Sequence, residues 1–218
     1  MSASENDKGI VYIDHKIQNI TNFIELENLY NEWSKTYDED LSKPNSYCGF
    51  IMVSKLLDLF SFRDKSRRIL DIGAGTGLVA EELRKLGYNN IDSLESNAAM
   101  IAKAKVKNLY LNYYEEFLEP NEPVKTIQED TYDRIIAAGV FSPAHLDSRH
   151  IKPMLKLLKS GGLFITSLRH SYITTHQKEI IPEIERLNKE NVIKIRMLSE
   201  IPDYYPGVPA FGIVLEKV

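Results

Sequence analysis

Apolar positions along the chain recur first at helical spacing and then in short blocks that alternate with helical stretches. From Thr21, the residues Phe23, Leu26, Tyr30 and Trp33 fall on one helix face, with Trp33 expected in the core beside Leu26 and Leu29. Residues 49–60 repeat the pattern with Ile51, Met52, Val53, Leu56, Leu57 and Phe60. The polar stretch 37–47 between them contains Pro44 and reads as a loop carrying Tyr37. After Arg68 the rhythm becomes strand, turn, helix. The pattern predicts strands at 68–72, 91–94, 109–114, 132–138 and 162–168, and helices at 78–86, 98–104 and 150–158, the last with Pro153 in its first turn. Such alternation predicts a parallel sheet with helices on both faces. Beyond it lie a helix at 177–188, a strand at 192–198, a turn-rich stretch IPDYYPGVP and a last strand at 211–217. Two strands joined by a Pro/Gly loop predict an antiparallel hairpin closing one edge of the sheet.

At 218 residues the chain is long enough for one sizeable core, so a single domain is expected. Its divisions are a loose arm at 1–20 and a domain at 21–218, made of a helical lid (21–65), a core (66–170) and a C-terminal helix and hairpin (171–218). The 27 Lys and Arg against 31 Asp and Glu give a formal charge of -4, which excludes coating of nucleic acid or an anionic membrane by charge alone. The lone Cys48 forms no internal disulfide and no thiolate cluster, which fits a reducing compartment. The N-terminal residues lack a signal-peptide apolar core and no run of about 18 apolar residues occurs, so a soluble cytoplasmic protein is expected.

The most informative stretch is Ile69-Leu70-Asp71-Ile72-Gly73-Ala74-Gly75-Thr76-Gly77-Leu78. A strand that stops at alternating glycines and then opens a helix lets a polar ligand approach the backbone and the helix amides. In the dinucleotide fingerprint the glycines are spaced G-x-G-x-x-G, whereas here Leu78 takes the third position and Gly77 comes one residue early. Asp71, two residues before Gly73, opposes a pyrophosphate and attracts a cation. Glu95, at the end of the second strand, stands where an acid binds a ribose diol. A positively charged nucleoside satisfies both acids.

The run RRILDIGAGTGLVAEELRKLGYNNIDSLESNAAMI resembles motifs I and II of the class I S-adenosylmethionine-dependent methyltransferases. TYDRIIAAGVF and HIKPMLKLLKSGGLFITSLR are similar to the fourth strand, the next helix and the fifth strand of that fold. The segment from Tyr30 to Leu41 is similar to the Y-D-x-W-A-x-x-Y-D-x-D-L pattern of the methyltransferase-like proteins of the Williams-Beuren syndrome chromosome region, with Asn31 and Ser34 departing from it. The resemblance implies an α/β, Rossmann-like fold: a mostly parallel seven-stranded sheet with a C-terminal antiparallel hairpin strand and an N-terminal helical lid. It implies S-adenosyl-L-methionine as cofactor. Asp71, Gly73, Ala74 and Gly75 would face the methionine part, with Gly77 opening the helix. Glu95 would hold the ribose, while Ser96 and Met100 would border the adenine. Gly139 and Val140 would pass under the homocysteine part, and Tyr37 and Tyr47 would cover the cofactor. Either Glu116 or Phe117 occupies the position after the third strand that meets the adenine amino group.

Methyl transfer from a sulfonium requires alignment more than any one catalytic group. Where the acceptor is a hydroxyl or a protonated amine, a base is needed, and His145, after the fourth strand, is the candidate. His150, His170 and His176 show no metal-ligand spacing, and no metal is expected. Lys152, Lys156 and Lys159 read as a solvated helix face. Tyr204 and Tyr205 either line a substrate mouth or pack the hairpin. The expected activity is methylation of a small molecule, with no nucleic acid or membrane as partner. The rivals are a cofactor-binding protein without turnover and an NAD oxidoreductase, the latter opposed by the misplaced third glycine.

Overall fold

A computed structural model describes residues 17, 19–20, 22–43, 46–175, 177–205 and 207–218. The expected arm at 1–20 lies largely outside these residues, as does His176. The described elements are α1 (Phe23–Trp33), α2 (Tyr37–Leu41), α3 (Gly49–Phe60), β1 (Ile69–Ile72), α4 (Leu78–Lys85), β2 (Ile91–Glu95), α5 (Ala98–Lys107), β3 (Tyr113–Glu115), β4 (Tyr132–Ala137), α6 (Ile151–Lys156), β5 (Leu158–Arg169), α7 (His170–Thr175), α8 (Ile180–Lys189), β6 (Ile193–Tyr205) and β7 (Val208–Lys217).

The strands form one seven-stranded sheet in the order β3-β2-β1-β4-β5-β7-β6. β3, β2, β1, β4 and β5 pair in parallel, and β7 runs antiparallel to both β5 and β6. The expected doubly covered sheet with an edge hairpin is therefore present. Strand residues alternate between the two helical layers. Ile69, Ile136, Ile165 and Val214 pack with α3 and α4, while Leu70, Ile135, Phe164 and Ile213 pack with α6 and α8. Burial on both faces is why the central strands read as unbroken apolar runs. The chain direction reverses outward from β1, toward β2 on one side and β4 on the other, which opens a crevice at the carboxyl ends of those strands.

Several boundaries differ from the sequence reading. Part of the expected loop at 37–47 is the helix α2, so Tyr37 opens a helix instead of lying in a loop. The turn-rich stretch is mostly strand, because β6 is an edge strand where Pro202 costs no ladder bond, and a register shift between Ile201 and Tyr205 absorbs it. The Ser160-Gly161-Gly162 turn bulges out within β5, so that Tyr132 pairs with Leu158 and Arg134 with Leu163. β3 is shorter than expected because Tyr110 turns inward with its hydroxyl on Asp71. Helix α8 starts later than expected, since the Gln177 amide donates to the carbonyls of Ser142 and Leu146. Helix α7, directly after β5, has no counterpart in the apolar pattern of the sequence.

Candidate functional site

The glycine loop after β1 has Gly73, Gly75 and Gly77 at φ of 67°, 55° and 97°. These are left-handed values that side chains disfavour. A Cβ on Gly73 would lie 2.5 Å from Val140 Cγ1, and one on Gly139 would lie 3.0 Å from the Tyr47 hydroxyl. The two backbone turns at the ends of β1 and β4 thus approach each other with Val140 and Tyr47 filling the space a side chain would need. At Gly75 nothing stands within 4 Å of that position, and the loop is open toward the cleft.

Glu95, at the end of β2, ties the loop to the sheet. Its Oε2 accepts from the Gly75 amide at 2.8 Å, and its Oε1 accepts from the Ser96 and Asn97 amides, each at 2.8 Å. Burial raises its carboxyl above the usual range, against the pull of those amides. Asp71 is fully buried beneath the loop. Its Oδ2 accepts from the Tyr110 hydroxyl at 2.6 Å, while its Oδ1 has no hydrogen-bond partner. Burial pushes this carboxyl up to about 7, with the Tyr110 bond opposing and the Glu95 charge adding. A carboxyl with one oxygen lacking a donor, under a cradle of open backbone, fits a cationic ligand above it.

Of the residues singled out from sequence, Tyr37, Tyr47, Gly73, Gly75, Glu95, Ser96, Met100, Glu116, Phe117, Gly139, Val140 and His145 line a single cleft at this end of the sheet. Asp71, Ala74 and Gly77 do not line it. Side chains alternate along β1, so Ile72 faces the cleft and Asp71 turns to the opposite layer with Tyr110. The Asp71 carboxylate therefore lies behind the loop, out of the cleft.

At the far end from the β4 loop, Glu116 and Phe117 both reach the wall. The Glu116 carboxylate is already engaged by the Lys125 and Thr126 amides and the Thr126 hydroxyl at 2.5–2.8 Å. Phe117 packs on Phe23 of α1, ring centroids 4.3 Å apart.

The lid of α1 and α2 is fastened to the core at Asn97 and at Thr76, among other contacts. The Asn97 side chain caps α5 at the Met100 amide and donates to Asn31 Oδ1 at 2.9 Å. Asp38 accepts from Thr76 Oγ1 at 2.5 Å and pairs with Lys107 at 2.7 Å. Trp33, expected in the core, lines the cleft instead, with its indole on Asp40 at 3.1 Å and its ring 4.5 Å from that of Tyr37. The apolar face of α1 covers the cleft with Phe23, Leu26, Tyr30 and Trp33. Helix α3 belongs to the helical layer of the sheet through Val53 and Leu57.

His145 is wired into the opposite wall. Its Nε2 lies 2.8 Å from the Tyr30 hydroxyl, and its Nδ1 lies 2.8 Å from both Pro143 O and Ser142 Oγ. Burial lowers its pKa to about 4, against the Pro143 bond, so the ring is neutral at neutral pH. Tyr30 stands first in the segment 30–41 that carries the family resemblance, but nothing in that pattern gives its hydroxyl a role. Tyr204 and Tyr205 both line the cleft, and they pack on Tyr47 with ring centroids 4.9 and 5.6 Å apart. Two consecutive strand residues reach one side because of the register shift before Tyr205. Arg169, at the end of β5, lies 5.3 Å from the rings of both Tyr172 and Tyr205. Among the described residues no group of three or more His, Cys, Asp or Glu is placed to hold a metal, and no helix is long and apolar enough to cross a membrane. His150 is buried in a capping box with Asp147, and His170 stacks on Phe211.

The family model for a methyltransferase domain matches residues 37–198. Human methyltransferase-like protein 27 is 28% identical over 152 residues, 70% of this chain and 61% of that protein. The ubiquinone biosynthesis O-methyltransferase of Rickettsia akari is 33% identical over 119 residues, 53% of this chain and 45% of that enzyme. The chain thus spans about half to three fifths of the length of these relatives. The TehB-like, S-adenosylmethionine-dependent methyltransferase of Corynebacterium glutamicum superimposes with a TM-score of 0.60 at 18% identity, over 88% of this chain and 97% of that one. The loop, the acid after β2 and the sheet order agree with these matches, and the chain belongs to the methyltransferase domain family, in the class I fold that uses S-adenosyl-L-methionine.

Proposed function

We propose that the chain transfers a methyl group from S-adenosyl-L-methionine to a small-molecule acceptor held under the lid. The observation that supports this most directly is one cleft carrying two kinds of wall. One is the glycine loop with Glu95, Ser96 and Met100, and the other is an aromatic wall of Trp33, Tyr37, Tyr47, Tyr204 and Tyr205. In this reading Glu95 holds the ribose with the lone pairs its amide contacts leave over, and Leu94, Met100 and Phe117 flank the adenine. Glu116, turned to the loop at 125–126, leaves the adenine amino group to backbone and stacking. Gly73, Gly139 and Val140 pass the methionine part, and Asp71 lies behind it as a countercharge. The bound cofactor supplies an activated methyl group on a sulfonium. The residues of the chain align the acceptor and exclude water, and the lid, fastened at Asn97 and at Thr76, encloses the reacting atoms.

A small acceptor fits a cleft roofed by short helices that are latched to the core, and the lone Cys48 fits a reducing, cytoplasmic setting. Calorimetric titration with the cofactor tests the binding part, with saturation expected below millimolar concentration. Incubation with methyl-labelled cofactor and the small-molecule fraction of a cell extract tests transfer. Cofactor bound tightly with no label moved would instead support the non-enzymatic reading.

A further inference from the structure

We propose that Tyr30 and His145 form a proton relay that takes the proton from a hydroxyl acceptor, making the reaction an O-methylation of a protic oxygen; this rests on the methyl-transfer reading above. Pro143 O, 2.8 Å from His145 Nδ1, is a carbonyl and only accepts; the Ser142 hydroxyl, also at 2.8 Å, can accept or donate, and with it accepting, Nδ1 carries the hydrogen and Nε2 offers a lone pair, the tautomer the relay uses. Tyr30 Oη, 2.8 Å from Nε2, therefore donates to it and keeps its own lone pairs for another donor. Both side chains line the cleft, and the loop bearing the imidazole continues directly from Gly139 and Val140.

The relay spans the two walls. Tyr30 comes from the lid helix α1, whose neighbouring residue Asn31 is held by Asn97, and His145 comes from the loop after β4. The pair is therefore complete only with the lid in place, which couples proton acceptance to closure over the substrate. The charged side chains that share the cleft with Tyr30 include Glu95 and Arg169, the latter 5.3 Å from the rings of Tyr172 and Tyr205. A neutral imidazole beside a phenol can accept a proton and has none to spare for donation from Nε2.

In the step, the acceptor oxygen bonds to the methyl carbon as the carbon–sulfur bond breaks, and that electron pair stays on sulfur. The acceptor proton passes to Tyr30 Oη, and the proton of Tyr30 passes to Nε2. The positive charge leaves the sulfonium and reappears on the imidazolium, so net charge in the cleft is unchanged. An acceptor already ionised, such as a carboxylate, has no use for this chain of groups, and a hydroxyl does.

The test uses the full chain with methyl-tritiated cofactor and the small-molecule fraction of a cell extract, comparing wild type with Tyr30→Phe, His145→Gln and the double variant. The expected label is stable to alkali, as an ether is. Each single variant is expected to lower kcat about 10²- to 10⁴-fold, the range of general acid–base catalysis. The double variant should be no slower than the slower single, with the cofactor Kd unchanged within about twofold. In parallel, ¹⁵N spectra of the wild-type imidazoles should show His145 with a bare Nε2 that shifts in Tyr30→Phe. An alkali-labile methyl ester or a methylated amine, made at full rate by Tyr30→Phe, overturns the relay and leaves methyl transfer standing. A protonated Nε2 in wild type also overturns it, without need of a variant. Cofactor binding with no labelled product overturns both readings together.

Discussion

Replacing Asp71 by Asn isolates what a buried carboxyl under the loop costs the ligand-free protein. The side chain is wholly buried, accepts one bond from Tyr110 at 2.6 Å, and leaves Oδ1 unpartnered. In the folded state burial lifts it to about 7, with Tyr110 opposing and Glu95 adding, whereas in the unfolded chain an aspartate ionises near about 3.9. Between those two values the unfolded chain has released a proton that the folded one still holds, so folding stability falls as pH rises through this window. At about 1.4 kcal/mol per tenfold in proton binding, the full penalty approaches roughly 4 kcal/mol, and about 3 kcal/mol of it develops between pH 5 and pH 8. Asn never ionises and still accepts from Tyr110. Urea unfolding of the cofactor-free proteins, followed by circular dichroism at several pH values, should show the variant gaining on wild type by about 3 kcal/mol over that range. His145 acts oppositely: burial lowers it to about 4, so its contribution to stability grows as pH rises from about 4 to about 6.5. It is present in both proteins and cancels in the difference. Parallel stability curves for the two proteins would refute the reasoning.

Three further outcomes follow from the same geometry. Glu95→Gln keeps the shape but sets an NH₂ against either the Gly75 amide or the Ser96 and Asn97 amides, and it offers the ribose weaker acceptance. Cofactor Kd should rise roughly 30- to 1,000-fold, about 2–4 kcal/mol by calorimetry, and a change under threefold would count against the ribose assignment. Gly73→Ala places a methyl 2.5 Å from Val140 Cγ1 at a φ of 67°. It should destabilise by about 1–3 kcal/mol, with Val140→Ala recovering part of the loss in a double-mutant cycle on thermal unfolding. Asp38→Ala removes the Thr76 and Lys107 contacts of a 40% exposed side chain. Global stability should change by no more than about 1 kcal/mol, while amide exchange across residues 37–41 speeds up, and unchanged exchange there would show that the latch does not hold the lid.

The order of strands and helices, the loop of glycines and the acid at Glu95 are legible in the amino-acid sequence because each is local. Apolar spacing selects helix or strand within a few residues, and the loop needs glycine wherever φ is positive. Even the edge hairpin follows from a Pro/Gly turn between two apolar runs. Its length does not, because an edge strand accepts Pro202 and a bulge that local propensity reads as a turn. The function of a side chain is decided by what lies across the fold. Tyr30 and His145 are 115 residues apart in the chain, and Asp71 and Tyr110 are 39 apart. The pattern that begins at Tyr30 does not say what its hydroxyl meets, and Trp33 looks like core until the helix is seen to cover a cleft. Asp71 reads as a cleft residue until strand alternation turns it to the far layer. The glycine loop and the acid at Glu95 are set by the chain itself, since both lie in one continuous βαβ stretch, β1 to β2. Which side chains form the rest of the cleft was decided only when the lid, the loop after β4 and the end of β6 packed together, because their contacts are long-range and no local pattern encodes them.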